Sequence, residues 1–241
     1  YLLEVNSDMK KRTAFIGAVL SLIPLSQPLL IKTGVILSGS AVMLSLPEKV
    51  NAQSAKSYNA KGIKALENGD QYLAISFFTK AIKIEPNEPT WYYNRGLSKH
   101  QIGDYEGAIS DYNKATELEP KYTDAYYNRG LVKEDLNDNY GAISDYTKAI
   151  KIDPNFAESY NNRGRLKHNL EDYDGALSDY TKAIEIDPNY ALAYSNLAVT
   201  KGQGFEDDEG ACSDIKKAAS LGDKYRIDWL ETSEGKWCKD M

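Results

Sequence analysis

The sequence predicts an all-α solenoid of stacked helix–turn–helix units, and two observations carry that prediction. The first is a strict 34-residue period. Gly recurs at 62, 96, 130 and 164, Ala at 74, 108, 142 and 176, a second Ala at 81, 115, 149 and 183, and Pro at 86, 120, 154 and 188. The second is the spacing between those columns. Apolar residues fall at i, i+3, i+4 and i+7, as in Tyr105, Ala108, Ile109 and Tyr112 or Tyr173, Ala176, Leu177 and Tyr180. That pattern places them on one face of a helix. One such unit cannot bury its apolar face alone, so stability must come from stacking.

Residues 1–8 form an upstream extension ahead of the first methionine, Met9. The segment Met9-Lys-Lys-Arg12 reads as the charged opening of an export signal. Two apolar stretches follow, Thr13–Ile31, interrupted by Pro24 and Pro28, and Thr33–Leu46. Val50 and Ala52 then give the small-residue pattern of a cleavage site, which places cleavage after Ala52. The alternative for residues 9–52 is an uncleaved membrane anchor, because about 20 apolar residues span a bilayer. In either case the repeats would lie outside the cytoplasm if Lys10, Lys11 and Arg12 stay inside.

A short linker is expected at Gln53–Ser57, followed by four units at residues 55–88, 89–122, 123–156 and 157–190. The first departs from the others, with Asn59-Ala60-Lys61 and Phe77, as terminal repeats do. Asp70, Asp104, Asp138 and Asp172 precede the second helix of each unit, where a carboxylate accepts from free backbone N–H groups. Gly69 and Gly103 suit a left-handed helix end, Asn137 tolerates one, and Glu171 does not fit the role. Each Pro stops the helix before it. Residues 191–222 read as a degenerate fifth unit, with Ala198 in place of Gly, one extra residue around Phe205–Gly210, and a second helix over Glu209–Leu221. Residues 223–241 read as a short capping helix, Asp223–Thr232, with Tyr225, Ile227, Trp229 and Leu230, and a tail.

Adding the aromatic columns Tyr58, Tyr92, Tyr126 and Tyr160, and Phe78 with Tyr112, Tyr146 and Tyr180, the unit resembles the tetratricopeptide repeat. The resemblance covers Ala55–Tyr190 well and extends loosely to Leu221. It implies a right-handed superhelical solenoid with a C-terminal capping helix and a concave groove lined by the first helix of each unit. The family usually places Leu before the Gly, whereas Arg95, Arg129 and Arg163 stand there in this chain.

The expected groove columns are Asn94, Asn128, Asn162 and Asn196, with Tyr93, Tyr127 and Asn161 one residue earlier. Leu97, Leu131 and Arg165 follow three residues later, and His100 and His168 one turn further on. The Asn column resembles the asparagine ladder in the tetratricopeptide domain of O-GlcNAc transferase, where side-chain amides grip a peptide main chain. Units about 10 Å apart and a peptide advancing about 3.3 Å per residue would match one Asn to roughly three peptide residues. The alternative is that these amides bridge neighbouring first helices or face water. Arg95, Arg129 and Arg163 are each followed sixteen residues later by an Asp, at 111, 145 and 179. Such a pair would tie the two helices of one unit together. The chaperone carboxylate clamp known on this fold is not matched, since Asn59 and Ile63 occupy its first Lys and Asn columns.

The chain has 241 residues, a net charge of −6, 42% hydrophobic and 27% charged residues. These values suit a folded protein, and the acidic balance argues against nucleic-acid binding. No catalytic constellation, phosphate loop or zinc spacing is present, so no cofactor or metal is expected. His100 and His168 lie two units, about 20 Å, apart, too far to share a metal. Cys212 and Cys238 both fall in the C-terminal region. In an exported protein, a disulfide between them would staple the cap and contribute about 3 kcal/mol; two buried thiols are the alternative.

The reading is a non-enzymatic, exported scaffold that binds an extended peptide or partner protein in its groove. A membrane-anchored assembly factor retaining residues 13–46 is one alternative, and a substrate-selecting subunit of an enzyme complex another. Membrane attachment is expected only in the first of these alternatives.

Overall fold

The computed structural model describes residues 46–232 together with 235, 236 and 238, all within one compact unit, Met43–Met241. The upstream extension, the charged opening at Met9 and the apolar stretches up to residue 45 lie outside the described residues.

Eleven α-helices and no strand occur among the described residues. They form five antiparallel pairs: α1 (Leu46–Glu67) with α2 (Gln71–Ile84), α3 (Pro89–Gln101) with α4 (Tyr105–Leu118), α5 (Thr123–Asp135) with α6 (Asn139–Ile152), α7 (Ala157–Asn169) with α8 (Tyr173–Ile186), and α9 (Ala191–Phe205) with α10 (Asp208–Ser220). The helix α11 (Lys224–Leu230) closes the series on α10. Each even helix also packs on the next odd one, so the pairs stack in chain order.

α1 corrects the sequence reading. The linker expected at Gln53–Ser57 is helical, and so is the stretch from Pro47 to Ala52. Pro47 does not prevent this because the first turn of a helix has no intrahelical partner for its N–H.

The even helices start on Asp caps. Asp70, Asp104, Asp138 and Asp172 each accept the N–H three residues on, at 2.9–3.0 Å, and Asp207 does the same for Gly210. The odd helices end in a left-handed residue: Gly69 (φ 75°), Gly103 (φ 78°), Asn137 (φ 60°) and, against expectation, Glu171 (φ 62°). At Glu171 the N–H reaches His168 O and the next N–H, of Asp172, reaches Lys167 O, both at 2.9 Å. These closing bonds outweigh the steric cost of the Cβ in that region. In the fifth unit α9 runs to 15 residues, against 13 for α3, α5 and α7, and ends on left-handed Glu206 (φ 52°). The extra residue therefore sits at this turn, and α10 starts at Asp208, one residue earlier than expected.

The core shows why Gly is needed. A Cβ on Gly62, Gly96, Gly130 or Gly164 would lie 2.5–3.0 Å from the ring of Phe78, Tyr112, Tyr146 or Tyr180. The ring packs flat where a side chain would otherwise be, and both Ala columns beside it are fully buried. In α11 the side chains of Trp229 and Leu230 pack on Ala198, Ala211 and Ile215 of the fifth unit, and Arg226 donates to the Ser195 hydroxyl and carbonyl of α9, while Tyr225 and Ile227 face solvent. Cys212 and Cys238 are bonded, with Cα atoms 5.4 Å apart and both side chains buried.

Candidate peptide-binding groove

The first helices α3, α5, α7 and α9 carry the Asn column, and each Asn is half-buried. Each amide donates to a residue 35 positions earlier in the preceding unit. Asn94 reaches Asn59 Oδ1 (2.9 Å), Asn128 the Tyr93 hydroxyl (3.2 Å), Asn162 the Tyr127 hydroxyl (3.1 Å) and Asn196 Asn161 Oδ1 (3.0 Å). The bridging alternative is thus realised by one amide hydrogen per Asn. The amide oxygens of Asn94, Asn128 and Asn196 accept nothing from the described residues, while that of Asn162 takes a bond from Asn161 (3.3 Å).

Three residues expected to line the groove depart from that role in degree. Asn161 is fully buried, consumed by Asn162 and Asn196, and offers nothing to a ligand. Tyr93 and Tyr127 are half-buried acceptors that set the amides. Burial pushes the Tyr93 phenol up to about 12, aided by Asp124 and opposed by the Asn128 bond. Burial likewise raises Tyr127. Leu97 and Leu131 pack against the buried clusters of their units.

Around them lies a set of bridges between units. Glu134 accepts from the Tyr146 hydroxyl and from Arg165 of the next unit. Burial, then the Glu134 hydrogen bond, raises the Tyr146 phenol. His100 Nε2 lies 2.6 Å from Asp135 Oδ2, and His168 Nδ1 lies 2.9 Å from Thr200 Oγ1. The two His residues therefore serve separate joints, and among the described residues no three metal-ligating side chains converge.

The Arg column is a structural tie. Arg95 grips Asp111 through Nε (2.9 Å) and Nη2 (2.7 Å), and Arg163 grips Asp179 at 2.9 and 2.6 Å. Arg129 donates through Nε to Asp145 at 2.8 Å. The remaining Nη1 reaches back to the preceding unit, to Thr79, Asn113 and Thr147. Sequence reasoning missed the second cation. Lys99, Lys133 and Lys167 each bring Nζ within 2.8 Å of the same carboxylates. Their position four residues after each Arg was the available signal, since i,i+4 side chains share a helix face. In the fifth unit Leu197 replaces the Arg, leaving Lys201 (2.7 Å) as the one cation on Asp214 among the described residues. Burial raises the Asp214 carboxyl, offset in part by Lys201.

Paired antiparallel helices in a 34-residue register, with glycine–aromatic contacts inside the first four pairs, define a helical-repeat protein. The tetratricopeptide repeat family matches at residues 55–88, 98–137, 123–156 and 157–190, together just over half the chain. The chain belongs to the tetratricopeptide-repeat proteins, a scaffold family that is generally non-catalytic and binds proteins and peptides. Solved structures agree on the fold. MamA 41-end from Desulfovibrio magneticus RS-1 superposes with TM-score 0.64 at 22% identity, over 70% of this chain and 94% of that one. A second MamA structure gives 0.62 at 26%, over 69% and 96%. YrrB, described as a TPR protein with an unusual peptide-binding site, gives 0.61 at 23%, over 80% and 95%. Comparison with curated proteins gives no match.

Proposed function

We propose that the face formed by α3, α5, α7 and α9 binds an extended peptide segment of a partner protein, and that the chain acts as a non-enzymatic scaffold. The observation that supports this reading most is the state of the Asn column. Each amide is held at a fixed angle by its bond to the preceding unit, while the Asn94, Asn128 and Asn196 oxygens remain open. A pre-oriented acceptor loses little freedom on binding a peptide N–H. The spacing of about three peptide residues per unit lets an extended main chain meet successive amides.

The test is selection of binders from a random peptide-display library with the full chain, followed by calorimetry on the selected peptides. Changing Asn94, Asn128, Asn162 and Asn196 together to Ala should weaken binding at least tenfold, with helical circular dichroism retained. Unchanged affinity in the folded variant would sink the reading.

The Cys212–Cys238 bond supports export, because disulfides persist in oxidising compartments. Alkylation of the native protein under non-reducing conditions, read by mass spectrometry, tests it. Two free thiols in protein taken from its own cells would count against export. No helix among the described residues is long and apolar enough to cross a membrane.

A further inference from the structure

Across α2, α4, α6 and α8 the outward stripes repeat every two units rather than every one. On α2 the stripe is Tyr72, Ser76, Lys80 and Lys83, and on α6 it is Tyr140, Ser144, Lys148 and Lys151, all exposed. Tyr72 and Tyr140 are 74% and 75% exposed, unusually high for aromatic side chains. On α4 the same positions hold Glu106, Ser110, Lys114 and Glu117, and on α8 Asp174, Ser178, Lys182 and Glu185. There each Lys is spent on the acid one turn on, Lys114 on Glu117 (2.8 Å) and Lys182 on Glu185 (2.9 Å). The stripes of α2 and α6 are therefore basic and aromatic, and those of α4 and α8 are net acidic. Beside α6, Lys121 joins Lys148 and Lys151 around a shallow cleft with Pro120 and Ile152.

We propose that this face pairs with the same face of a second copy of the chain, about a two-fold axis between α4 and α6. A two-fold contact matches the same patch on both partners. With the axis in that place, α4 meets the partner's α6 and α6 the partner's α4. The basic stripe of α6 then faces the net acidic stripe of α4 on both sides of the axis, and Tyr140 supplies the apolar contact. No partner of uniform charge satisfies both stripes. The two helices at the axis are about 21 Å long and about 10 Å across, offering roughly 400 Å² per partner. That is below the ~800 Å² of a standard interface, so the dimer is weak, salt-sensitive and populated at high micromolar concentration. This face does not include the Asn column, so the pairing stands or falls apart from peptide binding.

The test uses the full chain in a non-ionic detergent, because Thr13–Ile31 and Thr33–Leu46 are apolar, with mass followed by multi-angle light scattering. Dimer should form at about 0.05 M salt and dissociate at about 0.5 M, where screening is stronger. Lys148→Glu with Lys151→Glu should weaken dimerisation at least tenfold, as should Glu106→Lys with Glu117→Lys. An equimolar mixture of the two variants should recover it, because each swapped stripe then meets its complement. All exchanged side chains are at the surface, and circular dichroism checks that both variants fold. A monomeric wild type at low salt, variants that dimerise like the wild type, or a mixture that fails to recover would each overturn the proposal.

Discussion

Glu171 stands where Gly103 stands two units earlier, with φ at 62° against 78° and the same pair of backbone bonds closing the helix. A residue with a Cβ costs roughly 1–2 kcal/mol in this region, and Gly does not. Glu171→Gly should therefore stabilise the protein by about 1 kcal/mol, raising Tm by roughly 2–4 °C. Gly103→Glu, which meets no neighbouring atom, should lower stability by a similar amount. Thermal unfolding of the pair checks both signs, and a destabilised Glu171→Gly would contradict the strain argument.

The glycine–aromatic contact makes the opposite case. Gly130→Ala would put a Cβ 2.7 Å from Tyr146 Cε1, inside a fully buried site. Overpacking of this kind costs about 1–3 kcal/mol, and urea unfolding should show it. A loss below about 0.5 kcal/mol, the range of ordinary surface changes, would mean that the ring can move aside.

Asp145 holds two cations, Arg129 and Lys133, while itself almost fully buried. Asp145→Ala leaves both without their carboxylate, and breaking a buried pair from one side costs about 3–5 kcal/mol. Replacing Asp145 and Arg129 together by apolar residues should recover part of that loss, which a double-mutant cycle measures. Additive losses would show that the two groups are uncoupled.

The buried phenols set an alkaline limit. Burial raises Tyr93, Tyr112, Tyr122, Tyr146 and Tyr180 above the ordinary tyrosine value of 10.0. The folded state thus holds these protons more tightly than the unfolded chain does. Their contribution is complete below pH 10 and falls as pH rises through the folded values, about 12 for Tyr93. Denaturant midpoints should drop between pH 10 and 12, and Tyr146→Phe should make that drop shallower. An unchanged slope in this variant would remove Tyr146 from the account.

Removing the disulfide by Cys212→Ser with Cys238→Ser should cost about 3 kcal/mol in the chain-entropy model, across a sequence separation of 26 residues. Hydrogen exchange should place the loss in α10 and α11, with α3–α8 unaffected. A uniform loss along the chain would mean that the cap is coupled to the whole stack.

The repeat register, the Asp caps and the Arg–Asp offset are legible in the sequence because each depends on local spacing within one 34-residue unit. What depends on the neighbouring unit is not. Nothing in the Asn-Arg-Gly string shows that the Asn162 amide spends a hydrogen on Tyr127, or that Asn161 is buried between two amides. Glu171 was misjudged because residue preference opposed a turn that the surrounding bonds impose. The helix across Gln53–Ser57 is not legible as such because its short polar and small residues also suit a linker.

The alternation of Tyr72 and Tyr140 with Glu106 and Asp174 bears on how such an array can lengthen. Copying one unit in the gene would set two like stripes side by side and shift every later one out of phase. Copying an adjacent pair would leave the order of stripes intact. Over these four units the period of this surface is therefore 68 residues, twice the period of the core.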